Sequence, residues 1–136
     1  MFEARVRILL VDDDQLMTRM YERKFKFEGL DIVIKYNGKE ALDLLKKDNK
    51  FDVILLDIMM PEMNGFEFLE ARGKIKNIAN IPVLLLTNLS MSNGNDEQKA
   101  YKLGAVGFMV KSRLQQDIQI YDTLVLKSYL WITQPY

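Results

Sequence analysis

Residues Phe51–Gly65 read FDVILLDIMMPEMNG, an apolar run closed by turn-forming residues. Val53, Ile54, Leu55 and Leu56 follow one another with no polar face between them. Such a run is a strand buried on both sides, as in the middle of a parallel sheet. It ends on a carboxylate, Asp57, and then on the turn chemistry of Pro61 and Asn64-Gly65. Asp57 is either a cap for that loop or a reactive group displayed at the carboxyl end of a strand. What the rest of the chain brings to the same edge decides between the two.

Outward from this stretch, apolar runs recur at Arg5–Val11, Asp31–Lys35, Asp52–Leu56, Ile81–Leu86 and Val106–Val110. Helical periodicity fills the spaces between them. Gln15–Glu28 carries Leu16, Met20 and Phe27 as its stripe, beside Met17, Tyr21 and Phe25. Gly38–Lys47 follows Asn37, a good N-cap, and puts Ala41, Leu44 and Leu45 on one face. Phe66–Lys74 and Asn95–Leu103 are shorter. Arg113–Leu130 spaces Leu114, Ile118, Tyr121 and Val125 helically. Gly29, Gly104 and Gly107 stand where helices should stop. Five strand–helix alternations predict an α/β domain: a five-stranded parallel sheet, doubly wound, with five helices on its two faces.

The 136 residues make one domain, with no linker or repeat. Nineteen basic and nineteen acidic residues cancel, so no basic field exists to hold nucleic acid, and direct DNA binding is not expected. No apolar run approaches membrane-spanning length. The opening MFEARVR is too polar for a secretory signal, and the absence of Cys suits a reducing compartment; the expected location is cytoplasmic. The absence of His excludes a Ser-His-Asp triad, a His acid–base pair and a His-ligated zinc. Chemistry here rests on carboxylates, hydroxyls and lysines, and any metal would be a hard cation such as magnesium.

In sheets of this class, ligands sit beyond the carboxyl ends of the strands. The first strand ends in Asp12, Asp13 and Asp14, the third in Asp57, the fourth in Thr87 and Asn88, the fifth in Lys111. Carboxylates gathered at one edge raise one another's pKa values; a divalent cation and a lysine relieve that conflict. Asp14 stands directly before the first helix and reads as its N-cap.

ILLVDDD, DVILLDIMMPEMNGFEFL, VLLLTN and GAVGFMVKS together resemble the receiver domain of two-component response regulators, over about residues 5–125. On this view residues 1–136 are a single receiver domain, with core 5–125 and with 126–136 as the end of the last helix and a tail. The resemblance implies the CheY-like strand order 2-1-3-4-5. It implies that Asp57 is the phosphoacceptor, and that Asp12, Asp13, Asp57 and the backbone carbonyl of Met59 hold Mg²⁺. It makes Thr87 a hydroxyl donor to the phosphoryl group, Lys111 its ion-pair partner, and Thr87 with Phe108 the switch pair. Pro61 and Gly65 match the family's loop after the phosphoacceptor. The implied function is a phosphorylation-dependent signalling switch, not an enzyme, that assists its own phosphorylation and dephosphorylation. With no His in this chain, the donor is a partner: a sensor histidine kinase or a phosphotransfer protein. Output is expected through the face of the fourth helix, fifth strand and last helix, to a downstream protein or a second copy.

The chain departs from the family in places. Ser112 follows Lys111 where the family usually has proline after a cis bond. A cis bond before a non-proline residue costs about 2.5–4 kcal/mol, so trans is expected. Asn88 replaces a usually small residue and could narrow the approach to Asp57. The last helix carries a second apolar set, including Ile120, Leu124 and Trp131, that suits a partner surface. The chain is either a stand-alone receiver or a piece of a larger regulator. The alternative is a receiver-like module that binds partners without phosphorylation. A haloacid dehalogenase-type hydrolase needs a second Asp where Met59 stands, and a nucleotide-binding flavodoxin-like protein would carry a Gly-rich phosphate loop that is absent here.

Overall fold

A computed structural model describes residues 6–87 and 94–111. The elements run β1 (Arg7–Val11), α1 (Gln15–Phe27), β2 (Asp31–Lys35), α2 (Gly38–Lys47), β3 (Val53–Asp57), α3 (Gly65–Gly73), β4 (Val83–Thr87), α4 (Gly94–Lys102) and β5 (Gly107–Val110). All strand pairs are parallel, in the order β2-β1-β3-β4-β5. The expected strand count and order hold, with four helices among the described residues. The expected helix at 113–130, the Lys111–Ser112 bond and the second apolar stripe lie outside the described residues.

Alternation explains why the central strands are aliphatic throughout. Along β3, Val53 and Leu55 enter one core layer while Ile54 and Leu56 enter the other. In β1, Ile8 and Leu10 divide from Leu9 and Val11 in the same way. Tyr21 and Phe25 of α1 fill the first layer. Ala41 and Leu45 of α2, Phe68 and Leu69 of α3 and Ala100 of α4 fill the second. Helices on both faces make the sheet doubly wound.

The first helix turns a different face inward from the one expected. Leu16 and Phe27 are 73% and 88% exposed, and Met20 is also exposed, whereas Thr18, Tyr21 and Phe25 are buried. Both stripes have helical spacing. Asp14, three residues after the end of β1, fixes where the helix begins by accepting from Met17 N at 3.1 Å, and docking against the sheet then chooses the face. The larger aromatic surface of Tyr21 and Phe25 is the one packed on the sheet.

Other boundaries shift by one or two residues, each for a local reason. β4 begins after Pro82, which has no N–H to donate, and runs on to Thr87. β3 includes Asp57, which pairs with Leu86. Asn64 and Glu67 form a reciprocal capping box, so α3 starts at Gly65. Gly29 and Gly104 stop helices at φ +81° and +105°. Gly107 does not: it opens β5 opposite Leu84.

Arg72, on the inner face of α3, is buried against carbonyl oxygens. Its guanidinium donates to Ile78 O at 3.4 Å, Ile81 O at 3.2 Å, Gly104 O at 3.0 Å and to Ala79 O. It ties the end of α3 to the turn after α4, and burial lowers its pKa.

Candidate functional site

Register builds the site. Val11 of β1 pairs with Leu56 of β3, so the next residues, Asp12 and Asp57, emerge side by side. Thr87 closes β4 opposite Val110, so Lys111 follows at the same edge. The tip of β2 contributes a backbone atom: Asp12 N donates to Lys35 O at 3.0 Å. The candidates from four strand ends therefore share one edge of the sheet.

Carboxylate oxygens of Asp12, Asp13 and Asp57 all lie within 4.8 Å of one another. Asp12 and Asp57 are buried, while Asp13 faces solvent. Lys111 Nζ stands 2.9 Å from Asp12 Oδ2 and 3.2 Å from Asp57 Oδ1. Asp57 Oδ1 also accepts from Ile58 N at 2.9 Å, and Asp12 Oδ1 from Asp14 N at 3.1 Å. Asp12 Oδ2 is buried and has the Lys111 ammonium as its charge partner.

The electrostatics follow from this crowding. Burial and the neighbouring Asp12 charge push the Asp57 carboxyl up to about 6, against the opposing pull of Lys111 and the Ile58 N–H. Burial alone would lower the Lys111 pKa; the carboxylates of Asp12 and Asp57 outweigh it, and the net direction is up. The ammonium therefore stays charged and offsets part of the carboxylate repulsion.

The loop after β3 is pressed onto Asp57. Gly65 N donates to Ile58 O at 2.8 Å, and a Cβ at Gly65 would stand 2.5 Å from Asp57 O. Gly38 N likewise donates to Met63 O at 3.1 Å. Met59, two residues past Asp57, turns its side chain outward at 60% exposure. Phe108 also faces outward, 38% exposed, edge-to-face with Tyr101 at a centroid distance of 6.2 Å. One contact was not legible in the sequence. The hydroxyl of Tyr21 donates to Lys111 O at 3.4 Å, from a residue readable only as part of an apolar stripe.

The donor set fits a hard divalent cation. Every candidate ligand is oxygen, and the three carboxylates converge with two of them buried. No described helix is long and apolar enough to cross a membrane.

A parallel sheet in this order, with an acidic cluster and a lysine at the carboxyl edge, defines a receiver-type phosphoacceptor switch. The chain belongs to the response regulator receiver domain family, whose pattern matches residues 8–121. It is 31% identical over 128 residues to the transcriptional regulatory protein CpxR of Escherichia coli K12, covering 94% of this chain and 52% of that protein. It is 36% identical over 104 residues to the probable transcriptional regulator ycf29 of Porphyra purpurea, covering 76% of this chain and 48% of that one. The chain thus spans about half the length of these curated relatives. Among solved structures, the chemotaxis protein CheY4 of Vibrio cholerae superposes with a TM-score of 0.80 at 28% identity, over 92% of this chain and 99% of that one.

Proposed function

We propose that Asp57 accepts a phosphoryl group from a phosphohistidine on a partner, a sensor histidine kinase or a phosphotransfer protein. The observation that carries this is the buried Asp57 carboxylate, held between Lys111 and the Asp12–Asp13 pair at the open edge of the sheet. An Asp57 oxygen attacks phosphorus, the donor's phosphorus–nitrogen bond breaks, and an acyl phosphate forms. A carboxylate needs no general base to attack, so the absence of His from the chain is no obstacle. Asp12, Asp13, Asp57 and the Met59 carbonyl would hold Mg²⁺, which when bound offsets charge on the transferring oxygens. Lys111 exchanges Asp57 Oδ1 for a phosphoryl oxygen. Thr87, whose backbone closes β4 beside Lys111, donates its hydroxyl to the same group.

The new charge, about −1.5 to −2, replaces that of one carboxylate. Thr87 follows it, and Phe108 leaves its exposed position beside Tyr101 to turn inward. Both rings lie on the face of α4 and β5, which is the proposed output surface for a protein partner or a second copy. The domain helps its own phosphorylation and dephosphorylation by supplying ligands and orientation rather than by turning over a substrate. The balanced charge of the chain supports output by protein contact in the cytoplasm rather than by direct nucleic-acid binding.

Incubation with acetyl phosphate and Mg²⁺, followed by mass spectrometry of the intact protein, tests the reading. One phosphoryl group should appear, should require the metal, should vanish in Asp57→Asn and should fall sharply in Asp13→Asn. Stoichiometric labelling of Asp57→Asn would overturn the assignment. A wild type that never takes up phosphate would leave only a binding module.

A further inference from the structure

Tyr21 is fully buried, in the same core layer as Phe25, Leu10, Leu55 and Leu86. A phenylalanine ring would fill that space equally well. The phenolic hydroxyl adds a polar group to an apolar layer, a cost unless it is bonded. It reaches across 90 residues of sequence to donate to the backbone carbonyl of Lys111.

The place of that carbonyl gives the bond its significance. β5 is the edge strand of the sheet, and its last ladder pair is Thr87 with Val110. Lys111 stands one residue beyond the ladder, yet its Nζ meets both Asp12 and Asp57. A lysine has a long, rotatable stem, so where its ammonium dwells depends on where its backbone is held. Tyr21 ties that backbone to α1, the helix that starts three residues after Asp12. The acidic pair and the lysine are thereby referred to one rigid element.

We infer that Tyr21 is a positioning residue: its hydroxyl fixes the Lys111 backbone so that the ammonium is held where a phosphoryl group on Asp57 would need it. The inference rests on the reading of Asp57 as phosphoacceptor. Lys111 must exchange one oxygen partner for another during transfer, and a fixed backbone shortens the search for the productive arrangement. At 3.4 Å the bond is long, so its removal should slow the reaction rather than abolish it.

Tyr21→Phe deletes one oxygen and keeps the ring. Its acetyl-phosphate labelling rate in Mg²⁺ should fall about three- to tenfold, the range one ordinary hydrogen bond supplies. The side-chain ammonium resonance of Lys111 in ¹⁵N-lysine-labelled protein should also shift. In a Lys111→Met background the same change should slow labelling no further, because Tyr21 acts through Lys111. An unchanged rate in Tyr21→Phe overturns the inference, and so does an unmoved Lys111 resonance. An equal slowing with and without Lys111 would show a general packing defect and overturn it too. Labelling that persists in Asp57→Asn would defeat the underlying reading by a separate route.

Discussion

Replacing Asp57 with asparagine should make the metal-free protein more stable at neutral pH, although it removes the proposed reactive group. The folded protein holds the Asp57 carboxyl at about 6, raised from 3.8 first by burial and then by Asp12. A lift of that size corresponds to about 3 kcal/mol against the ionised form. Solvent reaches the site past exposed Asp13, so about 1–2 kcal/mol is the expected net effect. Asparagine keeps an oxygen for Lys111 and removes the charge. The sign with pH follows from proton binding. Between about pH 4 and pH 6 the folded state holds the Asp57 proton more tightly than the unfolded chain does. The contribution is fully present below the unfolded value and is lost as pH rises through about 6. Urea unfolding of wild type and Asp57→Asn without metal should therefore show the variant ahead by about 1–2 kcal/mol near pH 7.5, with the gap closing near pH 4. Adding Mg²⁺ should stabilise the wild type far more than the variant, because the cation relieves the same repulsion. A variant no more stable than wild type near neutrality, or a gap independent of pH, would refute the account of a destabilising buried charge.

Gly65→Ala should cost about 2–3 kcal/mol in urea unfolding, because the new methyl meets Asp57 O at 2.5 Å and Ile58 Cα at 3.0 Å; an unchanged midpoint would show that the loop has room to move. Arg72→Met should cost about 3 kcal/mol in the same assay by stripping donors from carbonyls at 78, 79, 81 and 104, and should speed amide exchange around Gly104. A loss below about 0.5 kcal/mol would mean that water replaces the guanidinium. Phosphoprotein in Mg²⁺ buffer should be long-lived, since Met59 and Leu89 offer no polar group to orient an attacking water, Leu89 lying outside the described residues. The Met59→Asn, Leu89→Glu double variant should lose phosphate faster, and equal rates would exclude that role.

The architecture was legible from periodicity because it rests on patterns that survive without contacts. The unbroken aliphatic run of residues 53–56 needs cover on both faces, which only a central parallel strand receives. Polar residues at the strand ends necessarily share one edge once the sheet is parallel, so Asp12, Asp13, Asp57, Thr87 and Lys111 could be gathered before any distance was known. Asp14 and Asn37 declared themselves as caps because a cap is a local hydrogen bond, and both accept from the helix they start.

Tertiary structure alone decided matters of phase and of long-range pairing. The first helix offered two stripes of equal period, and only docking against the sheet chose Tyr21 and Phe25 over Leu16, Met20 and Phe27. Arg72 has the sequence appearance of a surface charge; its burial depends on three carbonyls from the turn that follows α3 and on a fourth, Gly104 O, from 32 residues away. The Tyr21 hydroxyl finds Lys111 across 90 residues, and the lift of Asp57 to about 6 comes from burial and one neighbour's charge. Periodicity reports which residues share a face, because that repeats along the chain. It does not report which face is turned inward or how close two groups come, because those are set by what the folded chain packs against them.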